Sequence, residues 1–373
     1  MQKKKVMHII NSFSLAGAEK LVFDIASNIN KEKYELYICS IGKSPNSSIE
    51  ENIKKELVGN SIKVFCLDKK PKGDRIRTLR RLVKIIRNNS IDIIHTHCPS
   101  PDLYGRVAAK IMGIEDTYTT IHNSAGYSKF LENLLGRWTK GYIAISKQVR
   151  DYMHEKLLIS EDKIHLVFNG IDVDKYKNIQ INKEEYRLKL GLKSDDVVIT
   201  TIGRVTEQKG HIFLVKAIKK VKEYYPNVRV LIVGNKGLDK VLYKKITDYV
   251  ELEKLQENVS FLGNREDVPE IMKMSDVFVF PSLYEGFALV SLEAMASSIP
   301  IIATDVGSIR EIIMPNKNGI IIPSKDVKSI EDNILYMLDN PVIAQSMGRE
   351  GQKFIIDKFS IKQTTKKLEE IYG

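Results

Sequence analysis

The chain has 373 residues, 43% of them hydrophobic and 28% charged, which is a globular composition with enough length for two cores. No apolar run approaches the roughly 20 residues that cross a bilayer, Lys3-Lys4-Lys5 is followed only by a strand-length apolar run, and three cysteines make no disulfide framework. A membrane span and a secretory leader are therefore not expected, and the expected setting is the cytoplasm.

The net charge of +11 is uneven. Residues 1–180 carry 30 Lys and Arg against 20 Asp and Glu, while the remainder carries 28 against 27. A basic first half beside a neutral second half points to an anionic partner, nucleic acid or an acidic membrane surface, unless the charge serves solubility alone.

Short apolar runs alternate with helical periodicity along the whole chain. The first half gives strands at Val6–Ile10, Leu36–Ile41, Lys63–Leu67, Ile91–His95, Tyr118–Ile121, Tyr142–Ile145 and His165–Phe168. The second gives Val197–Ile202, Arg229–Val233, Val259–Leu262, Val277–Phe280, Pro300–Ala303 and Ile320–Ile322. Runs without polar alternation imply strands covered on both faces, hence two parallel α/β sheets, residues 1–175 and 184–355. The polar, aperiodic stretch between Asp174 and Glu184 is the expected linker.

Asn11 to Lys20 is a strand end running into a helix, with Gly17 at a turn where backbone can approach a ligand closely. Glu19 beside it reads equally as a partner of the helix dipole. His95 and His97 sit two apart on a strand and share a face, but no further ligand residue is expected nearby, so no metal is expected there. Thr120-Ile121-His122-Asn123 places His122 at the carboxyl end of the next strand. Two basic amphipathic stretches flank these segments, Arg75–Asn88 and Tyr127–Lys140. Each reads as a helix packed on its own sheet, and the second also combines Phe130, Leu134 and Trp138 with Lys129, Arg137 and Lys140 in a pattern that suits an interfacial contact. Asp172-Val173-Asp174 is too short a signal to be read as a metal–nucleotide motif.

In the second half, Gly203-Arg204 and Lys209-Gly210 flank a strand-to-helix turn, so that a planar fork and a point charge can reach one diphosphate. Phe280 to Asp305 then reads strand, loop, helix, strand. Glu285-Gly286 turns the loop, Phe287-Ala288-Leu289 lead into the helix, and Glu293 lies two turns in. Helix N-termini favour phosphate, and carboxylates accept hydrogen bonds from sugar hydroxyls.

The string EGFALVSLEAMA, with FPS before it, PIIATDVGSIRE after it and G-R-x-x-x-x-K-G upstream, resembles the nucleotide-sugar site of family 4 glycosyltransferases. The resemblance implies a GT-B fold, two Rossmann-like domains facing across a deep cleft, with residues 356–373 forming a helix that packs back on the first. It implies a retaining, metal-independent transfer of a sugar, with no cofactor. Arg204, Lys209 and the N–H groups of Phe287, Ala288 and Leu289 would stabilise the departing diphosphate. Glu285 and Gly286 would lie at the sugar, Glu293 at the ribose, and Gly17 at donor phosphates or acceptor. His122 matches the family histidine that touches the transferred sugar. UDP is the expected carrier, and the expected acceptor is a polyprenyl-diphosphate-linked glycan of capsule or O-antigen synthesis, met by a peripheral enzyme at the inner face of the plasma membrane. A soluble acceptor and a UDP-sugar epimerase of the same architecture are the alternatives. Nucleic-acid binding would leave the phosphate motifs without a role.

Overall fold

A computed structural model describes residues 2–14, 17–42, 48–69, 74–237 and 239–373. They form two compact units, one made of Met1–Ile171 with Ile361–Gly373 and the other of Asp172–Ser360.

The first unit is built on β1 (Lys4–Ile10), β2 (Tyr34–Ser40), β3 (Lys63–Cys66), β4 (Ile93–His97), β5 (Thr117–Ile121), β6 (Gly141–Ala144) and β7 (Ile164–Leu166). All pair in parallel, in the order β3-β2-β1-β4-β5-β6-β7. Alternation along β1 divides its side chains between two cores. Val6 and Ile10 join one, together with the helix Gly17–Asn28 and the C-terminal helix Ile361–Tyr372. Met7 and Ile9 join the other, under the helices Arg75–Asn89 and Pro99–Met112. Both faces are thus dry, as unalternating strands require.

The C-terminal helix is fixed to this unit by its side chains and by both of its ends. Ile361, Leu368 and Tyr372 are core residues. The Ile361 N–H donates to the Ile171 carbonyl at 2.7 Å and the Thr364 hydroxyl to the Phe168 carbonyl at 3.0 Å. At the other end the Lys4 ammonium donates to the carbonyls of Tyr372 and Gly373, at 3.0 and 2.7 Å.

The second unit repeats the plan with β8 (Val197–Ile202), β9 (Val228–Val233), β10 (Val259–Gly263), β11 (Val277–Phe280), β12 (Ile301–Thr304) and β13 (Ile320–Ile322). These too are parallel, in the order β10-β9-β8-β11-β12-β13. In each unit the winding reverses beside the first strand, between β1 and β4 and between β8 and β11. Open α/β sheets bind ligands beyond the strand ends at such a reversal.

Three expectations are corrected. The aperiodic stretch read as the linker, between Asp174 and Glu184, contains the helix Asp174–Lys177 and the start of the helix Lys183–Lys189. The second starts at Asn182, whose side chain accepts the N–H groups of Glu184 and Glu185 at 3.2 Å each, a capping signal that outweighs the polar composition. Arg187 on that helix is buried and donates to the carbonyls of Met274 and Asp196 and to the Asp276 carboxylate. Next, β4 runs two residues later than its apolar residues indicate, taking in His97, because that backbone still pairs with Thr120 of β5. Finally, the basic helix expected over Tyr127–Lys140 is only Lys129–Leu135, followed by one 3₁₀ turn at Gly136–Trp138. Ser128 caps its start, and Gly136 is a poor helix former where it ends.

Burying Ile361, Leu368 and Tyr372 contributes roughly 1.5–3 kcal/mol each, a sum comparable with the roughly 5–15 kcal/mol of a whole domain. Removing residues 361–373 is therefore expected to abolish cooperative unfolding of the first unit while the second keeps its own transition. Urea titration followed by the fluorescence of Trp138, the single tryptophan of the chain and a residue of the first unit, checks this. An unshifted midpoint would show that the helix stabilises nothing.

Candidate functional site

In the second unit the loops after β8 and β11 meet at the winding reversal. The β8 loop closes as the 3₁₀ turn Glu207–Lys209 and ends at Gly210, whose φ of 61° is left-handed. A Cβ there would lie 2.0 Å from the Pro281 carbonyl oxygen. Glycine is therefore demanded twice, by the backbone angle and by the neighbouring loop. The Leu283 N–H donates to the Gln208 carbonyl at 2.7 Å, tying the two loops backbone to backbone.

This closure brings Lys209 to Glu285. Lys209 Nζ lies 2.5 Å from Glu285 Oε1, and both side chains are largely shielded, 17% and 9% exposed. The Ser282 hydroxyl donates to the same oxygen at 2.9 Å, and the Gln208 amide donates to Oε2 at 3.3 Å and to the Tyr284 carbonyl at 3.0 Å. Ser282 and Gln208 were missed in the sequence because each acts only through Glu285. The carboxylate is thus a held group, with one oxygen shared by an ammonium and a hydroxyl. Arg204 differs. It is exposed, and its guanidinium has no partner among the described residues.

The N–H groups expected to face a phosphate are not equivalent either. Ala288 N–H donates to the Ser308 hydroxyl at 3.2 Å, and Leu289 N–H to the Phe287 carbonyl at 3.1 Å. That leaves the Phe287 N–H without a partner among the described residues. Glu293 is buried in the helix Leu289–Ala296 rather than solvated. His211, also unforeseen, is buried at the start of the next helix and contacts the Gly203 carbonyl at 3.2 Å through Nε2, which steadies the β8 loop from below.

In the first unit, Gly17 is exposed at the first position of its helix, and residues 15–16 before it lie outside the described residues. Glu19 is buried, and burial raises its pKa; it does not serve as an exposed dipole partner. His122 follows β5 directly and keeps 8% of its surface. Its Nε2 lies 3.1 Å from His97 Nδ1, and His97 Nε2 lies 2.9 Å from His8 Nδ1. The expectation that no further ligand-type residue approaches His95 and His97 is corrected by His8. It arrives from β1, 87 residues away, because β1 pairs with β4 and sets His8 opposite His95. The ligand nitrogens of His8, His95 and His97 lie within 4.8 Å of one another. They are directed at neighbours rather than at a common centre: His95 Nδ1 meets the Tyr372 hydroxyl at 2.5 Å and its Nε2 meets the Thr120 hydroxyl at 2.7 Å.

A sequence model described as "Glycosyl transferases group 1" matches residues 182–354, and one described as "Glycosyltransferase Family 4" matches residues 15–175. The UDP-Gal:alpha-D-GlcNAc-diphosphoundecaprenol alpha-1,3-galactosyltransferase of Escherichia coli is 26% identical, over 99% of this chain and 97% of that protein. The capsular polysaccharide biosynthesis glycosyltransferase CapM of Staphylococcus aureus is 26% identical over 80% of each. Among solved structures, a glycosyltransferase from Rickettsia africae superposes over 100% of this chain and 98% of its own, with a TM-score of 0.88 and 22% identity. HepE of Anabaena, solved with UDP and glucose, superposes over 99% of each chain with a TM-score of 0.86 and 18% identity. The last two show the fold, which is GT-B.

The buried histidines give the first unit a defined response to acid. Burial lowers His8 to about 3 and His122 to about 4, and it holds His95 and His97 well below the ordinary value with help from neighbouring imidazoles. An unfolded chain protonates all four as pH falls through about 6.5, whereas the folded unit does not. Stability present above that pH is therefore lost on acidification. Asp102, raised by burial to about 7, acts oppositely, since the folded state holds a proton that the unfolded state releases above about 3.9; Glu19, raised by burial, has the same sign. About two or three net protons remain, each worth roughly 1.4 kcal/mol per pH unit. The urea midpoint of the Trp138 transition is expected to fall steadily from about pH 6.5 to 4.5, and a flat profile would contradict the neutral cluster.

Proposed function

The chain belongs to the family 4 glycosyltransferases, and from that premise we propose that it moves a sugar from a UDP-sugar to a polyprenyl-diphosphate-linked glycan, with retention of configuration and without a metal. The observation that carries the reading is the held Lys209–Glu285 pair at the winding reversal of the second unit, with an exposed Arg204 that has no partner among the described residues. Charge develops on the diphosphate as the sugar leaves, and fixed donors aimed at that charge lower the barrier without reorganising. Arg204 supplies a planar fork, the Phe287 N–H a backbone donor, and Lys209 an ammonium whose charge is shared with Glu285 until phosphate oxygens approach. Glu285, steadied by Ser282 and Gln208, accepts hydrogen bonds from sugar hydroxyls, and Glu293 accepts from the ribose. Two cations and a backbone donor answer the charge that a metal would otherwise meet.

The acceptor is read from three observations. The E. coli relative is named for a diphosphoundecaprenol-linked substrate. The basic excess lies in residues 1–180. The helix Lys129–Leu135 presents Phe130, 80% exposed, and the exposed Leu134 beside exposed Lys129 and Arg137. Among the described residues no helix is long and apolar enough to cross a membrane, and an apolar tip ringed by cations suits peripheral contact with anionic lipid.

Incubation with UDP- and GDP-sugars and a membrane extract should release free nucleotide. Lys209→Ala and Glu285→Ala should each lower turnover at least about tenfold, roughly 1.4 kcal/mol of barrier; unchanged rates in both would remove these assignments. Full turnover on a water-soluble acceptor without lipid would move the acceptor reading to a soluble sugar, and interconversion of UDP-sugars with no acceptor would indicate an epimerase.

Sedimentation with phosphatidylglycerol vesicles should capture the protein at low salt and release it at high salt. Phe130→Ala should weaken capture by roughly thirtyfold, the equivalent of about 2 kcal/mol of lost burial, with the Trp138 unfolding midpoint unchanged.

A further inference from the structure

We propose that His8 and His97 are positioning residues that hold His122 in the tautomer bearing its proton on Nδ1, so that His122 meets the substrate as a hydrogen-bond donor and not as a base. The proposal rests on the reading that His122 touches the transferred sugar, and it assigns to that contact a direction.

The three rings form one chain, His8 Nδ1 to His97 Nε2 at 2.9 Å and His97 Nδ1 to His122 Nε2 at 3.1 Å. All three are buried and stay neutral at ordinary pH. A neutral imidazole has one N–H and one lone pair, so each contact needs one donor, and a ring that accepts on one side must donate on the other. Only two arrangements exist, and in each the protons all point the same way.

The inner end decides between them. His8 Nε2 is buried with no partner among the described residues. His95 cannot serve it, because both its nitrogens are engaged by Tyr372 and Thr120. In one arrangement His8 Nε2 is an orphaned N–H, in the other a bare lone pair. Among buried backbone groups orphaned N–H donors are rarer than under-satisfied acceptors, and in our proposal the imidazole nitrogens follow the same order. His8 therefore donates from Nδ1 to His97, His97 donates from Nδ1 to His122 Nε2, and the His122 proton sits on Nδ1. That atom has no partner among the described residues, and it is free to donate to a sugar oxygen. His95, stacked on His97 at 4.4 Å between ring centroids, keeps the middle ring in plane.

The test uses full-length protein labelled with ¹⁵N-histidine. A long-range ¹H–¹⁵N correlation spectrum at neutral pH is expected to show His122 protonated on Nδ1 and bare on Nε2; a proton on Nε2, or on both nitrogens, overturns the proposal. His97→Phe keeps the ring and its stacking but cuts both contacts. It should turn His122 into a mixture of tautomers and lower kcat roughly tenfold, the scale of a lost orienting contact, with the donor KM unchanged. His97→Gln, which offers a donor and an acceptor again, should restore most of both. A single tautomer and unchanged kcat in His97→Phe would also overturn it. If His97→Phe fails to fold, His8→Phe cuts the inner contact alone and is read by the same spectrum. Stoichiometric zinc in the purified protein would mean that the lone pairs face an ion, and the chain would be dismissed. The spectrum needs no turnover, so absence of sugar transfer with every donor would count against the proposed function and leave the tautomer assignment standing.

Discussion

A single charge pair holds the second unit's site together. Lys209 and Glu285 are 76 residues apart and stand on loops from adjacent strands, β8 and β11, whose pairing across the winding reversal leaves no other place for those loops. The pair is shielded but not fully buried, so neither ion bears the full cost of leaving water. Its second effect is geometric. With Oε1 shared by Lys209 and Ser282, and Oε2 reached by Gln208, the carboxylate has one orientation. Gly210 makes that orientation possible, since any side chain there would drive the two loops apart. A site that binds a diphosphate with side chains needs cations kept near but not cancelled. A lysine lent to a carboxylate, and an arginine exposed without a partner among the described residues, meet that need in different ways.

The first unit relies on desolvation. Four imidazoles packed on one sheet face are affordable only as neutral rings, because each protonation would place a charge in apolar surroundings. Neutrality in turn converts the rings from independent titrating groups into a set of directed hydrogen bonds. The Tyr372 hydroxyl enters that set from the last helix of the chain, so the C-terminal segment shapes the environment of His95 while it closes the core.

Much of this was legible in the sequence, for reasons that can be located. Unbroken apolar runs marked nearly every strand, because strands covered on both faces cannot alternate. The β8 and β11 loops were legible because glycines and charges sit at strand ends, where local spacing determines what they reach. The role of Glu285 as a carboxylate held by Lys209 was not, because spacing says which loop a residue occupies and not which loop lies beside it. His8 failed for the same reason: a histidine inside VMHII reads as a lone core residue until the β1–β4 pairing sets it opposite His95. The helix at Lys183 was missed for a different one. Its Asn182 cap is local and readable, but composition was weighed above capping, and the Arg187 partners Met274 and Asp276 lie 87 and 89 residues away.

The exposed Phe130 shows how an unfavourable surface feature is sustained. Its helix has only seven residues, too short to be stable alone. Glu132, two residues beyond Phe130 and therefore on the opposite, inner face, forms a bidentate pair with Arg106 at 2.7 and 3.2 Å, and accepts from the Tyr142 hydroxyl at 3.0 Å. Arg106 is fully buried, and Asp102 lies 3.6 Å from it. Breaking one partner of such a cluster leaves an uncompensated buried charge, a penalty of roughly 3–5 kcal/mol. Exposing one phenylalanine forgoes about 2 kcal/mol. The inner ion pair therefore outweighs the outer apolar residue, and the helix holds its phenylalanine in water without collapsing onto the sheet. A phenylalanine held exposed in this way, with cations on either side of it, is available to the proposed lipid contact.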